Sequence, residues 1–284
     1  MIEDPQVIVS SCWLHERIND PDVRIIDASW YLAAMNRNPI AEYNSQHIPG
    51  AWFFDIDRIC DYQSVLPHMA PTGDQFLSAI STSGICNDHQ LVVYDGIGLF
   101  SSPRVWWIFK LMGHDNVAVL DGGLPKWISE NRPLSDSAEF AEHTFGKLGF
   151  RNHLIADIDR VSLSMHDQNS EIIDARPEGR FTGAEPEART GLRCGHIPGS
   201  KNIPFKRVLN DDDTLLDPVQ IEAIFSAAKI DLTKSLITTC GSGITAAVLN
   251  LALSRIGHNN HCLYDGSWAE WGRPCSLPIA IGSD

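Results

Sequence analysis

The sequence predicts an α/β protein built from two copies of one domain, each a mostly parallel sheet flanked by helices. Three observations lead to this prediction. Short β-branched runs alternate with helical patterns along the chain, as expected for parallel strands joined by crossover helices. The strand-like runs are apolar throughout, which is typical of strands buried on both faces. Finally, fragments of the first half return in the second half in the same order.

The internal repeat consists of four fragments at separations of 144 to 149 residues. One such match would mean little, but four in order at nearly constant spacing indicate a duplicated domain. The chain of 284 residues also has the length expected of two domains. We therefore predict a domain over 1–134, a polar linker over 135–156 and a second domain over 157–284. The paired fragments are 25–29 with 172–176, 47–51 with 196–200, 91–96 with 236–241 and 121–123 with 265–267.

The elements of the second copy follow from its alternating apolar runs. Runs at 171–174, 235–239 and 262–264 predict strands, and the longer periodic segments 218–229 and 244–255 predict helices.

Composition excludes several classes of function. The formal net charge is -14, with 22 Lys and Arg against 36 Asp and Glu, so no broad positive field is available for nucleic acid or anionic lipid. The apolar run 105–109 is far shorter than the roughly 20 residues that span a bilayer. The first residues lack a basic and apolar signal pattern. We expect a cytoplasmic protein with no membrane or nucleic-acid partner.

The seven cysteines are dispersed and odd in number, without a CxxC pair. This arrangement suggests neither a disulfide framework nor a zinc knuckle, so free thiols are expected. Cys240 differs from the rest because glycine-rich sequence follows it. The others are interpreted as structural, and they are Cys12, Cys60, Cys86, Cys194, Cys262 and Cys275.

Cys240 follows a predicted buried strand and opens a loop with glycines at 241 and 243, which leads into an apolar helix. Ligands bind at the carboxyl ends of strands in such sheets. The glycines let the backbone curl so that successive N–H groups form an anion cradle, and the helix N-terminus adds positive potential. This setting favours thiolate over thiol and predicts a nucleophile that carries an attached group.

At this loop the sequence resembles the tandem-domain rhodanese family, and within it the 3-mercaptopyruvate sulfurtransferases. The resemblance covers nearly the whole chain. Both copies carry the family's His-Ile-Pro-Gly segment and an Asp-Gly-Gly or Asp-Gly-Ser turn before a tryptophan. The active-site loop of the mercaptopyruvate enzymes reads Cys-Gly-Ser-Gly, an aliphatic residue, Thr and Ala, as residues 240–246 do here. Thiosulfate-preferring relatives carry basic residues after the cysteine, whereas this loop is neutral.

The resemblance implies a set of donor-binding residues. Two arginines before the second His-Ile-Pro-Gly segment hold the substrate carboxylate and keto group in the family, and Arg180 and Arg189 match them. Guanidinium forks suit carboxylates because they bind them through two hydrogen bonds and stay charged. Arg193 is a nearby competitor for one of these positions. The loop itself contributes the remaining expected donor contacts through Gly241, Gly243, Ile244 and Thr245.

The resemblance also implies proton-handling groups. In the family the loop serine pairs with an aspartate that reaches across from the inactive domain, and Ser242 and Asp55 match those positions. Asp55 has an alternative interpretation as a helix cap or a domain-interface residue. His68 falls near a histidine that borders the family's substrate. Thr245 is expected to cap the following helix or support the loop rather than react.

The first copy is expected to be catalytically silent, because Asp95 aligns with Cys240 and a carboxylate cannot attack sulfur. The inferred reaction is a double displacement in which Cys240 takes sulfur from 3-mercaptopyruvate, releases pyruvate and passes the sulfur to a thiol. The acceptor is a small thiol or reduced thioredoxin, or cyanide in the laboratory. No metal or organic cofactor is expected.

Three alternatives differ in class or donor. A thiosulfate sulfurtransferase shares the fold and the nucleophile. A cysteine phosphatase would need an arginine six positions after the nucleophile, where this chain has Ala246. A non-catalytic interaction module would normally lack the cysteine.

The histidines outside the loop are interpreted as structural. His47 and His196 precede Pro-Gly turns in both copies, including the silent one, and so they are expected to secure the fold. His258 and His261 lie beside Cys262 without an accompanying ligand set, which argues against a metal site.

Overall fold

A computed structural model describes residues 3–81, 83–137, 146, 148–274 and 276–282. The chain divides into two compact units that exchange short segments. The first unit comprises residues 1–62, 70–151 and 211–215, and the second comprises 63–69, 152–210 and 216–284. Each unit therefore contains one segment from the other half of the chain.

The first unit contains a five-stranded sheet in which every neighbouring pair of strands is parallel. The strand order is β1-β5-β4-β2-β3. The strands are β1 (Ile8–Val9), β2 (Val23–Asp27), β3 (Ala51–Phe53), β4 (Gln90–Tyr94) and β5 (Val117–Leu120).

The second sheet repeats this topology, with β6-β10-β9-β7-β8 as its strand order and parallel pairing throughout. All the residues of β10 are buried, as are all but the first of β9. The structure and the family match below confirm the predicted α/β class. The strands are β6 (Ile155–Ala156), β7 (Ser170–Asp174), β8 (Lys201–Asn202), β9 (Ser235–Thr239) and β10 (His261–Tyr264).

Helices connect the strands of both sheets. In the first unit they are α1 (Ser11–Glu16), α2 (Pro39–Ser45), α3 (Gly73–Ile80), α4 (Ser102–Leu111) and α5 (Gly123–Ser129). In the second unit they are α6 (Ile158–Ser164), α7 (Glu178–Thr182), α8 (Pro218–Ala227), α9 (Ala246–Arg255) and α10 (Ser267–Trp271).

Two helices differ from their predicted bounds at one end. Helix α8 begins at the predicted residue, where Asp217 and Gln220 form a capping box. It ends at Ala227 because the chain turns into the left-handed conformation at Lys229, whose φ is 58°. Helix α9 begins at Ala246 rather than at Ile244, because residues 244 and 245 still belong to the turn that leaves the Cys240 loop.

The exchanged segments are each bonded to the unit that they enter. Segment 211–215 joins the first unit, where the Leu215 N–H donates to Oδ1 of Asp121 at 2.8 Å. Segment 63–69 joins the second unit, where the Val65 carbonyl accepts from Nη2 of Arg273 at 3.1 Å. The two segments are therefore integral parts of the units that receive them.

The described ends of the predicted linker are attached to different units. The Arg151 guanidinium pairs with Asp115 through two hydrogen bonds of 2.7 Å in the first unit. Residues 155 and 156 form β6 of the second sheet. Residues 138–145 and 147 of this stretch, and Cys275, lie outside the described residues. Among the helices that the structure describes, none combines the length and the apolar composition required to cross a membrane.

Candidate active site

Cys240 lies at the carboxyl end of β9, directly before the loop that leads to α9, and its side chain is buried. Its N–H donates to Oγ of Ser267 at 3.2 Å, and its carbonyl accepts from the N–H of Trp268 at 2.9 Å. The next carbonyl, at Gly241, accepts from the N–H of Ala269 at 2.8 Å. Helix α10 therefore holds the backbone of Cys240 and Gly241 in place.

The equivalent loop of the first unit shows what this backbone shape binds. Asp95 follows β4 as Cys240 follows β9, and its carboxylate is fully buried. Its two oxygens accept six hydrogen bonds of 2.7 to 2.9 Å from the loop and from the start of α4. The donors are the N–H groups of Ile97, Gly98, Phe100, Ser101 and Ser102 and the hydroxyl of Ser102. The loop is a cradle for an anion.

The cradle has no internal anion in the second unit. Among the described residues, no oxygen accepts from the N–H groups of Ser242, Gly243, Thr245 or Ala246. At a separation of 145 residues these positions correspond to four of the donors around Asp95. By analogy with the carboxylate of Asp95, negative charge on the side chain of Cys240 would be stabilised by these N–H groups.

Three of the predicted residues, Arg189, Ser242 and His68, meet at one point. Its Nη2 lies 3.2 Å from Oγ of Ser242 and 3.2 Å from Nε2 of His68. A guanidinium only donates, so Oγ of Ser242 acts as an acceptor, and Nε2 of His68 accepts in the tautomer that carries its proton on Nδ1. A Cβ added at Gly241 would lie 3.8 Å from Nη1 of Arg189, so this guanidinium lies against the backbone of the loop.

Arg180 lies in α7 and is half-buried. It is close enough to Glu187 to influence the pKa of that carboxyl. Burial raises the pKa of Glu187, and the charges of Arg176 and Arg180 oppose that rise. Arg180 and Arg189 thus flank Glu187 in sequence, and Arg180 also interacts with it electrostatically.

Sequence reasoning missed a buried ion network that anchors the arginine-bearing segment. Arg176 follows β7, and its guanidinium pairs with Asp174 and Glu187 at 2.6 Å each. These three side chains are at most 4% exposed. The guanidinium also lies over the ring of Trp268, 4.2 Å from its centroid. The available signal was a basic residue two positions after a buried strand, where an unpaired charge would be costly.

Arg193 does not replace either predicted donor-binding arginine. Its guanidinium donates to the carbonyls of Trp271 and Leu277 at 2.9 Å each. It therefore ties the chain after α10 to the body of the second unit, and its role is structural.

Asp55 lies in the first unit, just after β3. Its side chain is 24% exposed and faces Arg58 at 3.6 Å. Its Oδ1 accepts from the N–H of Asp57 at 3.1 Å, which makes Asp55 the first residue of a turn. Its role in the reaction stays a prediction.

Thr245 occupies the N-cap position of α9, as predicted, but its side chain makes no capping hydrogen bond. The side chain of Thr245 therefore does not cap the first turn of α9. Thr245 contributes to the cradle through its backbone N–H group. Ile244 is buried beside it.

The histidines before the Pro-Gly turns occupy matching structural positions. Nδ1 of His47 lies 2.7 Å from the Tyr43 carbonyl, and Nδ1 of His196 lies 2.9 Å from the Phe181 carbonyl. Each ring stacks on the aromatic side chain of that same partner. Both histidines secure a turn to the preceding helix, α2 or α7.

His261 is a buried histidine whose pKa burial lowers to about 4, and its Nδ1 lies 2.7 Å from the His258 carbonyl. Burial also raises the pKa of Cys262 to about 11. Within the described part of the chain, no group of three or more His, Cys, Asp or Glu side chains is arranged to hold a metal ion. The six cysteines in that part are all free.

Comparisons with known proteins match this architecture. The model of the rhodanese-like domain matches residues 10–130 and 157–273. The chain is 41% identical to thiosulfate/3-mercaptopyruvate sulfurtransferase 1, mitochondrial, of Arabidopsis thaliana, over 98% of this chain and 79% of that protein. It is 40% identical to the 3-mercaptopyruvate sulfurtransferase of Escherichia coli K12, over 95% and 96% of the two chains.

A solved structure gives the same result. The crystal structure of SseA from Escherichia coli superposes with a TM-score of 0.85 at 38% identity, covering 93% of this chain and 99% of that one. The resemblance drawn from the residues is thereby confirmed. This chain belongs to the rhodanese family and carries two rhodanese-like domains in tandem.

Proposed function

We propose that this chain is a sulfurtransferase that moves the sulfur of 3-mercaptopyruvate to a thiol acceptor through a persulfide on Cys240. The observation that carries the proposal is the cradle. The same loop holds a carboxylate through six hydrogen bonds in the first unit. In the second unit the equivalent loop begins with Cys240, directly after β9.

The first half-reaction is a displacement on sulfur. The Cys240 thiolate attacks the thiol sulfur of the donor, and an S–S bond forms while the C–S bond of the donor breaks. The electron pair of the broken bond passes to the carbon as the enolate of pyruvate. The enolate carbon takes up the proton that the donor thiol loses, and pyruvate departs. The persulfide that remains is therefore an anion, and its charge lies inside the cradle.

Arg189 and Arg180 bind the donor's carboxylate and keto oxygen in this proposal. Arg189 is already against the loop, and its contacts with Ser242 and His68 hold it in place. A positive charge at the keto oxygen stabilises the enolate as it develops. The Ser242 hydroxyl accepts from Arg189 and so keeps its own proton to donate to that oxygen.

In the second half-reaction a thiolate attacks the outer sulfur, the S–S bond to Cys240 breaks, and the enzyme thiolate is regenerated. A small thiol and reduced thioredoxin are the proposed acceptors. Asp55 is proposed to assist the proton transfers through Ser242. The cytoplasmic location stays a prediction, which fractionation of cells would check.

Thiosulfate is the second candidate donor. The name of the Arabidopsis relative joins thiosulfate with 3-mercaptopyruvate. Against thiosulfate, the side chains of residues 241–245 are neutral, and a dianionic donor would favour basic side chains there.

The test is a comparison of 3-mercaptopyruvate with thiosulfate as donor, with cyanide as the common acceptor. We expect mercaptopyruvate to be preferred, Cys240→Ser to abolish turnover, and Arg180→Ala and Arg189→Ala chiefly to raise KM. Arg207→Ala, an exposed arginine of the same unit, is the matched control. A preference for thiosulfate would overturn the donor assignment, and no transfer from either donor would overturn the proposed function.

A further inference from the structure

A surface cavity of about 500 Å³ lies beside the Cys240 loop and is lined only by residues of the second unit. Its walls come from the exchanged segment 63–69, from the chain after Arg189 and from the region of α10. The proposed donor has only seven heavy atoms, and a cavity of this size is in the range that binds much larger molecules.

The cavity adjoins the reacting loop through two of its lining residues. Arg189 reaches Oγ of Ser242 at 3.2 Å, and the N–H of Ala269 donates to the Gly241 carbonyl at 2.8 Å. Two lining residues of the cavity are therefore hydrogen-bonded to the two residues that follow Cys240.

The cavity combines positive charge with apolar walls. Arg189 and Arg273 supply two guanidinium groups, and Leu66, Pro67 and Leu192 supply apolar surface. Arg273 donates to the carbonyls of Ala269 and Val65 at 3.1 Å each. In the described part of the chain no carboxylate pairs with Arg273, so its charge is available to an anion.

We propose that this cavity binds the sulfur acceptor, and that the acceptor is a peptide-sized thiol carrying carboxylates, held between Arg189 and Arg273. The inference rests on the proposed function. A double displacement makes the shared use of Arg189 possible, because the donor's carbon skeleton leaves before the acceptor thiol attacks. The acceptor thiolate then displaces Cys240 from the outer sulfur, as in the second half-reaction above.

The experiment separates the acceptor step from the donor step. The enzyme is first loaded with 3-mercaptopyruvate, and the pyruvate released and the gain of one sulfur atom in mass record the persulfide. The loaded enzyme then reacts with reduced glutathione, which carries two carboxylates, or with its diethyl ester, which carries none. Cyanide, which is too small to need the cavity, is the reference acceptor.

Three variants are compared with the wild type. Arg273→Gln removes the charge, and Arg273→Lys keeps it. Thr190→Trp fills the cavity from an exposed position on its wall. Arg207→Gln is the matched control, because it removes an exposed positive charge of the same unit away from the cavity.

We expect Arg273→Gln to lower the ratio of the glutathione rate to the diethyl ester rate about 10-fold, as for the loss of one charge-assisted hydrogen bond. Arg273→Lys should restore most of that ratio. Thr190→Trp should lower the ratio of the glutathione rate to the cyanide rate by a similar factor, and Arg207→Gln should leave both ratios unchanged.

An equal loss with glutathione and its ester would overturn the inference, because Arg273 would then act only by tethering segment 63–69. Unchanged ratios in Arg273→Gln and Thr190→Trp would overturn it as well. A wild-type enzyme that releases no pyruvate would overturn the proposed function and this inference together, so the two failures are distinguishable.

Discussion

The loops that begin at Asp95 and at Cys240 occupy the same position in two sheets of identical strand order, yet only one is equipped to react. In the first unit the carboxylate of Asp95 takes up the hydrogen-bond donors of its own loop. In the second unit a thiol replaces the carboxylate, and the N–H groups of the loop are available to stabilise negative charge on sulfur. The fold thus supplies the anion site, and one residue decides whether it serves stability or chemistry.

A second difference between the halves lies two residues after the matching strands β2 and β7. Ser29 follows Asp27 in the first unit, where burial raises the pKa of that aspartate to about 6. Arg176 follows Asp174 in the second unit and pairs with it at 2.6 Å. The cation that neutralises the strand-end carboxylate also anchors the segment that carries Arg189, through Glu187.

The largest effect is expected when Cys240 is replaced by aspartate, the residue that the first loop has at this position. We expect Cys240→Asp to lower turnover more than about 1,000-fold, because no nucleophile remains. The new carboxylate should also accept the donors of the cradle and raise the free energy of unfolding by about 2 kcal/mol relative to Cys240→Ser. Sulfur-transfer assays and denaturant titrations of both variants measure this, and a Cys240→Asp protein less stable than Cys240→Ser would contradict the cradle.

The reverse test removes the carboxylate that the cradle of the first unit holds. Asp95→Ala leaves buried N–H groups without an acceptor and should lower the free energy of unfolding by about 3 kcal/mol. Thermal or denaturant unfolding measures the loss. Asp88→Ala, the same change at an exposed position, should cost less than about 0.5 kcal/mol. Equal effects would show that Asp95 contributes no more than a surface carboxylate.

Glu187→Gln tests whether the ion network positions Arg189. Without the ion pair to Arg176, the segment that carries Arg189 should be held less firmly, so KM for the donor should rise about 10-fold with a smaller change in kcat. Glu178→Gln, in the exposed first turn of α7, is the control. A variant that loses stability while KM stays constant would limit the network to a structural role.

Asp27→Asn should change the stability of the protein in a way that depends on pH. The pKa of Asp27 is about 6 in the folded state and near 4 in the unfolded chain. The folded protein therefore holds the extra proton between about pH 4 and 6, and the free energy of unfolding falls as pH rises through that window.

The variant removes this titration, so at pH 7 it should be more stable than the wild type by about 1 to 3 kcal/mol. Denaturant unfolding at pH 4.5 and 7 measures the change. Asp174→Asn, at the matching position of β7, is the contrasting control. It leaves the buried Arg176 with only Glu187 as a charged partner and should destabilise the protein at both pH values. If the free energy of unfolding of Asp27→Asn varied with pH as that of the wild type does, the raised pKa of Asp27 would be contradicted.

The sequence predicted the parts of the fold that are recorded in local patterns. The strand 235–239 was predicted with its observed bounds, and the family follows from the repeat and the Cys240 loop. The exchange of segments 63–69 and 211–215 could not be predicted, because it depends on contacts between residues far apart in the chain. His68 and Asp213 also adopt the left-handed conformation, with φ of 60° and 58°, without the glycine that would have signalled such a turn.

The candidate site was predicted in the same uneven way. His68, Arg189 and Ser242 were each identified from their motifs, and the structure places them at one point. The anchoring by Arg176 and Glu187 was missed, because a sequence shows that two charges exist but not that both are buried. The role of Arg193 could not be predicted from the sequence, because it depends on the positions of the two carbonyls that accept its hydrogen bonds.

The exchanged segments have a consequence for synthesis. When the ribosome has made the first 151 residues, the first unit still lacks residues 211–215, and the carboxylate of Asp121 has no Leu215 N–H to accept from. The nascent chain already contains segment 63–69, but the rest of the second unit, which this segment contacts, has not yet been made. Domain-by-domain folding during translation, the usual route for such chains, therefore ends with a late step in which both halves are completed together.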